Sequence, residues 1–268
     1  MKLVSVIIPT CDRPLLVVRA IQSVLRQSYS DREIIVIDDA SAGDTQQQVA
    51  ACAGDRVRYI RLEARSGANA ARNRGIAEAK GDFIAFLDDD DTWEPDKLAE
   101  QVRALSETGP ALCYTGKNVI NAKGERCGYS FHPPRYSDHC RSIMHTNFIG
   151  STSSVIMPAW CFAGVGLFDE RLSAFQDYDL YIRFLKTYRV VGINKPLVRY
   201  LEDAHTGKTT LNAEKCVASA RYLLAKYRAE SHYRLLMRAL VIIFIRRSLR
   251  APRFGVDVMR ALLLPKTA

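Results

Sequence analysis

The chain has no apolar stretch of membrane-spanning length. Among its 268 residues the longest uninterrupted apolar run is Ala239–Ile245, about 10 Å as a helix against a hydrocarbon core of roughly 30 Å. No transmembrane segment is expected. The opening MKLVSVIIPT is cut short by Pro9, Asp12 and Arg13, so it lacks the apolar core and small-residue cleavage site of a secretory leader. Cysteine pairing is also missing. The seven cysteines are odd in number and no two stand at C-x-x-C spacing, which argues against a disulfide framework, a zinc site and a redox pair. They read as small buried hydrophobes in a reducing, cytoplasmic compartment. Fifteen glycines are present, yet no strand is followed by G-x-G-x-x-G or a P-loop, which counts against a dinucleotide oxidoreductase and an NTPase.

Net charge is absent from most of the chain. Residues 221–268 hold eleven Lys/Arg against Glu230 and Asp257, which accounts for the whole formal charge of +9, and residues 1–220 are balanced at 27 of each sign. No aromatic-interleaved platform accompanies the basic segment, so nucleic acid is not expected as a partner.

What is present is a globular composition, 48% hydrophobic and 25% charged. The first hundred residues alternate strand and helix. Val4–Ile8, Ile34–Ile37, Val57–Leu62 and Phe83–Leu87 read as strands, and Leu15–Gln27, Thr45–Ala53 and Ala68–Ala79 as helices. Near-continuous apolar strands in such an alternation predict a largely parallel sheet covered on both faces. Beyond residue 110 the pattern loosens. Strands are expected at Ala111–Thr115, Ser153–Met157 and Val190–Ile193, a polar stretch at 121–146, and a helix over Asp177–Tyr188. From Ala213 the chain reads as helical and increasingly basic.

In an open parallel sheet, ligands bind beyond the carboxyl ends of the strands. Two acidic clusters fall there: Asp38-Asp39, and Asp88-Asp89-Asp90-Asp91. An aspartate pair after a strand serves equally well as a turn. Four in a row repel one another and need a cation or hydrogen bonds to offset the charge. With no Cys or His nearby, the matching ion is oxygen-seeking, Mg²⁺ or Mn²⁺, and such ions keep coordination sites for ligand phosphates.

The segments VSVIIPTCDRP (4–14), EIIVIDDAS (33–41), ANAARNRGIAEAKGDFIAFLDDDDTWEPDKL (68–98), GLFDERL (166–172) and QDYDLYIRF (176–184) resemble family 2 glycosyltransferases in order and spacing. The resemblance covers residues 1 to about 205. It implies an α/β GT-A nucleotide-diphospho-sugar transferase fold, with a mostly parallel central sheet flanked by helices and a C-terminal helical appendage. The catalytic domain would span 1–210 (a nucleotide-sugar-binding half, 1–110, and an acceptor half, 111–210), with a basic helical region at 211–268. The implied reaction is inverting transfer from a nucleotide-sugar, a UDP-sugar above all, to a glycan or lipid-linked acceptor in surface polysaccharide or lipopolysaccharide synthesis. Pro9, Thr10 and Asp39, with Asp38 beside it, match the donor pocket, Asp39 accepting a hydrogen bond from the uracil ring. Asp88 and Asp90 match the D-x-D signature, Asp90 as the metal ligand and Asp88 nearer the ribose, and Asp89 fills the variable middle position. Asp91 would support the site or cap a helix, and Trp93 and Pro95 would shape the turn. Arg72 and Asn73 match donor-side residues, Arg72 alternatively being a solvated helix arginine.

Asp177 matches the base that takes the acceptor hydroxyl's proton. Its place at a helix start predicts a lowered pKa, and a helix cap is the other reading. Asp179 is expected to be structural. The family usually has Glu-Asp where this chain has Gln176-Asp177, so acceptor contacts are expected to differ. His205 matches a histidine near the closing loop and a second metal ligand. A sugar nucleotidyltransferase and a non-catalytic nucleotide-sugar-binding module are the rival readings; the first needs a glycine-rich basic loop where this chain has CDRP (11–14).

The tail places an apolar block between Arg234 and Arg238 on one side and Arg246, Arg247, Arg250 and Arg253 on the other. One expectation is a monotopic anchor through 231–268 on an anionic membrane, at the inner face of the cell membrane. The other is a helix packed on the catalytic domain or on a second copy of the chain, as a homo-oligomer.

Overall fold

Every residue of Val4–Thr10 (β1) is buried, and its apolar side chains divide between two cores: Val4, Val6 and Ile8 on one face, Ile7 on the other. This two-sided burial explains an unbroken apolar run where a half-exposed strand would alternate. In the computed structural model, residues 2–109, 111–121, 123–201 and 212–263 are described. After β1 come Pro14–Leu25 (α1), Arg32–Asp38 (β2), Thr45–Ala53 (α2), Arg58–Arg61 (β3), Ala68–Glu78 (α3), Phe83–Phe86 (β4), Thr92–Trp93 (β5) and Lys97–Thr108 (α4). The second half has Ala111–Ile120 (β6), Arg126–Ser130 (β7), His139–His145 (α5), Val155–Pro158 (β8), Cys161–Val165 (α6), Gln176–Leu185 (α7), Arg189–Leu201 (β9), Ala213–Lys226 (α8), Tyr233–Arg250 (α9) and Pro252–Leu263 (α10).

The strands form one sheet in the order β3-β2-β1-β4-β8-β6-β9-β5, with β7 paired to β6. The first four neighbours are parallel, as the alternation predicts. The rest is mixed: β8 runs antiparallel to β4 and β6, β9 parallel to β6, and β5 antiparallel to β9. Helices α1, α2 and α4 cover one face; α3 and α5 to α10 cover the other. On β1 the fit of α3 is close: a Cβ added to Gly75 would sit 2.4 Å from Cγ2 of Ile7, so only glycine brings the helix this near.

Helices α8 to α10 share the core of the elements before them. Cys216, Leu223, Leu236, Leu240 and Phe254 lie in one buried cluster with Tyr178 and Phe184 of α7. Asp179 ties the parts polarly. Fully buried, it accepts from Arg183 Nε at 2.9 Å and Tyr227 Oη at 2.7 Å and pairs with Lys226 at 2.7 Å. That is the structural role expected of it. The packed-helix reading of the tail therefore holds for its inner face. The outer face of α9 keeps Met237, Val241, Ile245 and Leu249 exposed.

Candidate active site

The carboxyl ends of β1 and β2 and the turn after β4 open onto a cleft of about 340 Å³. Pro9, Thr10, Asp39, Asp88, Asp89 and Asp90 all line it. Asp39, just past β2, accepts from the backbone amides of Ser66 at 2.6 Å and Gly67 at 2.9 Å, which fixes its carboxylate in the wall. Asp38 does not line the cleft. Strand alternation sends consecutive side chains to opposite sides, and the Asp38 carboxylate is held instead by Ser41 and Tyr59.

The four aspartates in a row have different partners. Asp88 accepts from Arg72 Nη2 at 2.6 Å and from Thr152 Oγ1 at 3.2 Å. Asp89 accepts from Thr10 Oγ1 at 2.9 Å and Arg13 Nη1 at 3.1 Å. Burial still pushes Asp89 up to about 6, against the pull of Arg13. Asp90 has an oxygen 3.8 Å from the same guanidinium. Asp91, fully buried, accepts from Ser153 Oγ at 2.6 Å and from the Leu201 amide at 3.1 Å. Asp91 thus supports the site from behind, anchoring the end of β9. Two arginines and several hydroxyls offset part of the charge, so of the two expected means, a cation or hydrogen bonds, the second is present.

For a cation, the chemistry on offer is carboxylate oxygen, from Asp90 and Asp88 on the cleft wall. No three His, Cys, Asp or Glu side chains converge among the described residues. One or two carboxylates suffice for such an ion only where ligand phosphates and water complete its shell. His205 lies outside the described residues.

Arg72 is not a solvated helix arginine. It is buried, paired to Asp88, and its guanidinium lies 5.5 Å from the Phe168 ring centroid. Asn73 does not reach the donor cleft. Its amide donates to the Phe168 carbonyl and to Glu170, and accepts from the Phe168 amide, clasping the 166–172 loop. Sequence reasoning missed Arg13, treated only as a charge ending an apolar run, and Tyr200 from the far end of β9. Arg13 had a signal: it stands three residues after Thr10, in the turn where β1 delivers its ligand-side residues.

A second cavity of about 290 Å³ adjoins the first, and Asp88, Gln176 and Tyr200 line both. Asp177 lines the second one. Helix α7 begins at Gln176, so the cap position falls to Phe175, held at φ +60°. A bulky residue in left-handed backbone is strained, and such strain collects where structure places a functional group. Asp177 accepts from the Tyr178 amide at 2.8 Å. Although part of its surface meets the cavity, it sits deep in the protein. Burial raises its pKa, against the lowering effects of that amide, Arg72 and Lys117. The lowered pKa expected from a helix start is therefore corrected: desolvation outweighs the helix terminus. Beside it, Gln176 Oε1 is buried without a hydrogen-bond partner.

The family model for glycosyl transferase family 2 matches residues 5–162. WcaA of Escherichia coli K12, named for colanic acid biosynthesis, is 38% identical over 192 residues, 69% of this chain and 67% of that protein. TuaG of Bacillus subtilis 168, named for teichuronic acid biosynthesis, is 35% identical over 146 residues, 54% of this chain and 58% of its own. Among solved structures, S. aureus TarS 1-349 superimposes with a TM-score of 0.70 at 20% identity, over 94% of this chain and 73% of that one. The mannosyltransferase PcManGT from Pyrobaculum calidifontis, in complex with GDP-Man and Mn²⁺, gives 0.67 at 16% identity, over 99% and 76%. The chain spans about two thirds of the length of the first of these relatives.

Proposed function

Because the chain belongs to glycosyl transferase family 2, and is a glycosyltransferase with the GT-A fold, we propose that it transfers a sugar from a UDP-sugar to a hydroxyl of a glycan or lipid-linked acceptor, in the synthesis of a surface polysaccharide. One observation carries the reading: the acidic cleft and the cavity holding Asp177 meet at Asp88, Gln176 and Tyr200. A donor on one side and an acceptor on the other would bring the anomeric carbon and the attacking hydroxyl together at that junction. The names of WcaA and TuaG support the polysaccharide class. TarS 1-349 in complex with UDP-GlcNAc supports the donor class.

In this reading Pro9, Thr10 and Asp39 receive the base, and Asp39 accepts from the uracil ring. Arg72 holds Asp88 in place beside the sugar-bearing phosphates, and Arg13 holds Asp89 against Thr10. Mn²⁺ or Mg²⁺ bound by Asp90, with Asp88 alongside, would stabilise the charge on the departing diphosphate. Asp177 takes the proton of the acceptor hydroxyl as it attacks from the face opposite the leaving group. Its raised pKa brings the carboxylate's proton affinity closer to neutrality, which favours a general base over an inert anion. The outer face of α9, with exposed Met237, Val241, Ile245 and Leu249 beside Arg234, Arg238, Arg246 and Arg250, would rest on an anionic bilayer. No helix among the described residues is long and apolar enough to cross one.

Calorimetric titration of UDP, GDP and dTDP, with Mn²⁺ and with EDTA, tests the donor assignment. UDP is expected to bind with Mn²⁺ and to lose that binding in EDTA. A preference for GDP or dTDP would overturn the uridine reading, and metal-independent binding would remove the cation from it.

A further inference from the structure

Arg247 of α9 lines the Asp177 cavity. Its Nη1 lies 3.2 Å from the Cys216 sulfur and its guanidinium 5.2 Å from the Phe175 ring centroid. Burial pushes the Cys216 thiol up, so the sulfur is neutral. Among the described residues no carboxylate lies within ion-pair distance of Arg247. A half-buried guanidinium set between a thiol and an aromatic face keeps N–H donors for an anion from outside the chain. Lys117, from β6, lines the same cavity with its ammonium 3.9 Å from the Tyr200 ring centroid, and it is close enough to lower the pKa of Asp177. Arg247 lines only this cavity and not the donor cleft.

We propose that Arg247 and Lys117 form an oxyanion subsite beside Asp177, and that the acceptor is a negatively charged sugar or sugar derivative, carrying a carboxylate or a phosphate. The inference rests on the acceptor reading of this cavity. A planar guanidinium suits either oxyanion by paired N–H···O bonds. The subsite also gives the basic region a local role. Helix α9 closes the acceptor side, with Phe244 against Phe175 at 6.3 Å between centroids and Ile243 and Arg247 in the cavity wall. Anchored there, the anion would hold the acceptor while a neighbouring hydroxyl donates to Asp177, and Gln176 Oε1 offers an acceptor to a second hydroxyl of the same sugar.

The test is ligand-detected NMR titration of the full chain with glucuronic acid, sn-glycerol 3-phosphate and glucose, beside calorimetry of UDP with Mn²⁺. One or both anions are expected to bind, the preference telling carboxylate from phosphate, and glucose is expected to bind markedly more weakly. Arg247→Gln should weaken the anion about tenfold or more, Arg247→Lys should recover part of the loss, and UDP binding should be unchanged in both. Lys117→Gln should weaken the anion in the same direction, which keeps the test open if Arg247→Gln melts early. Equal binding of glucose and the anions, or undiminished anion binding in Arg247→Gln, overturns the proposal. So does loss of UDP binding in that variant, which would put Arg247 on the donor diphosphate. Failure of the wild type to bind UDP, with the anion pattern intact, would count against the donor reading alone.

Discussion

Residues 2–109 bring their acids to the cleft on the ends of adjacent parallel strands, whereas the second half contributes Tyr200 of β9, a strained turn at Phe175 and, to the adjoining cavity alone, one face of α9. In the first half the cleft carboxylates have partners from the same half: Asp39 has the Ser66 and Gly67 amides, Asp88 has Arg72, and Asp89 has Thr10 and Arg13. The second half offers a deep carboxylate, a Gln176 oxygen without a hydrogen-bond partner, and Arg247, which has no ion pair among the described residues. A cleft prearranged on one side and unsatisfied on the other suits an enzyme whose donor chemistry is fixed by its fold and whose acceptor completes the site.

Asp177→Asn should break the pairing of the halves most sharply. It is expected to lower transfer by about 10²–10⁴-fold, measured with a labelled donor, while leaving nucleotide binding intact. Two residues on, Asp179→Asn is expected to act on stability instead. It removes a charge from a buried network with Arg183, Lys226 and Tyr227, at a cost of about 3 kcal/mol in urea denaturation, with the nucleotide site unaffected in whatever fraction stays folded.

The pH dependence sharpens the contrast further. Since burial raises the pKa of Asp177, the acid limb of the transfer rate should lie above the ordinary aspartate range, and a limb at or below that range would refute the shift. The same sign has a stability consequence. With the folded pKa above the unfolded one, ionised Asp177 destabilises the fold at neutral pH. Asp177→Asn should therefore melt higher than wild type at pH 7, and that advantage should vanish as the pH falls below the unfolded value. The smallest effect concerns the outer face of α9. Ile245→Glu with Leu249→Glu, both exposed, should weaken binding to phosphatidylglycerol vesicles severalfold without altering the melting temperature. Unchanged vesicle binding would detach the membrane from this face.

The first half was legible because doubly buried strands have to be apolar throughout, and because four consecutive aspartates are too repulsive to be idle. The Asp38-Asp39 pair was half legible: alternation allows only one of them into the cleft, and the Ser41 and Tyr59 hydroxyls take the other. The second half resisted for physical reasons. Strand β9 continues past the expected Val190–Ile193 through Asn194, Lys195 and Pro196, because register shifts at Gly116 absorb the break. A Cβ at Gly116 would meet Tyr129 Oη at 2.4 Å and the Lys195 carbonyl at 2.9 Å. Strand β7, largely exposed or half-exposed at the margin of the sheet, carries no apolar alternation to read. Arg247 was hidden inside a run of basic residues whose neighbours Arg246 and Arg250 face outward; only the packing of α9 against Phe175 separates them.

The most direct measurement titrates UDP with Mn²⁺ into wild type, Asp90→Ala and Asp177→Asn side by side. If the two halves divide donor from acceptor chemistry, Asp177→Asn binds as wild type does and Asp90→Ala loses the metal-dependent component. Loss of binding in Asp177→Asn, or wild-type binding in Asp90→Ala, would contradict that division.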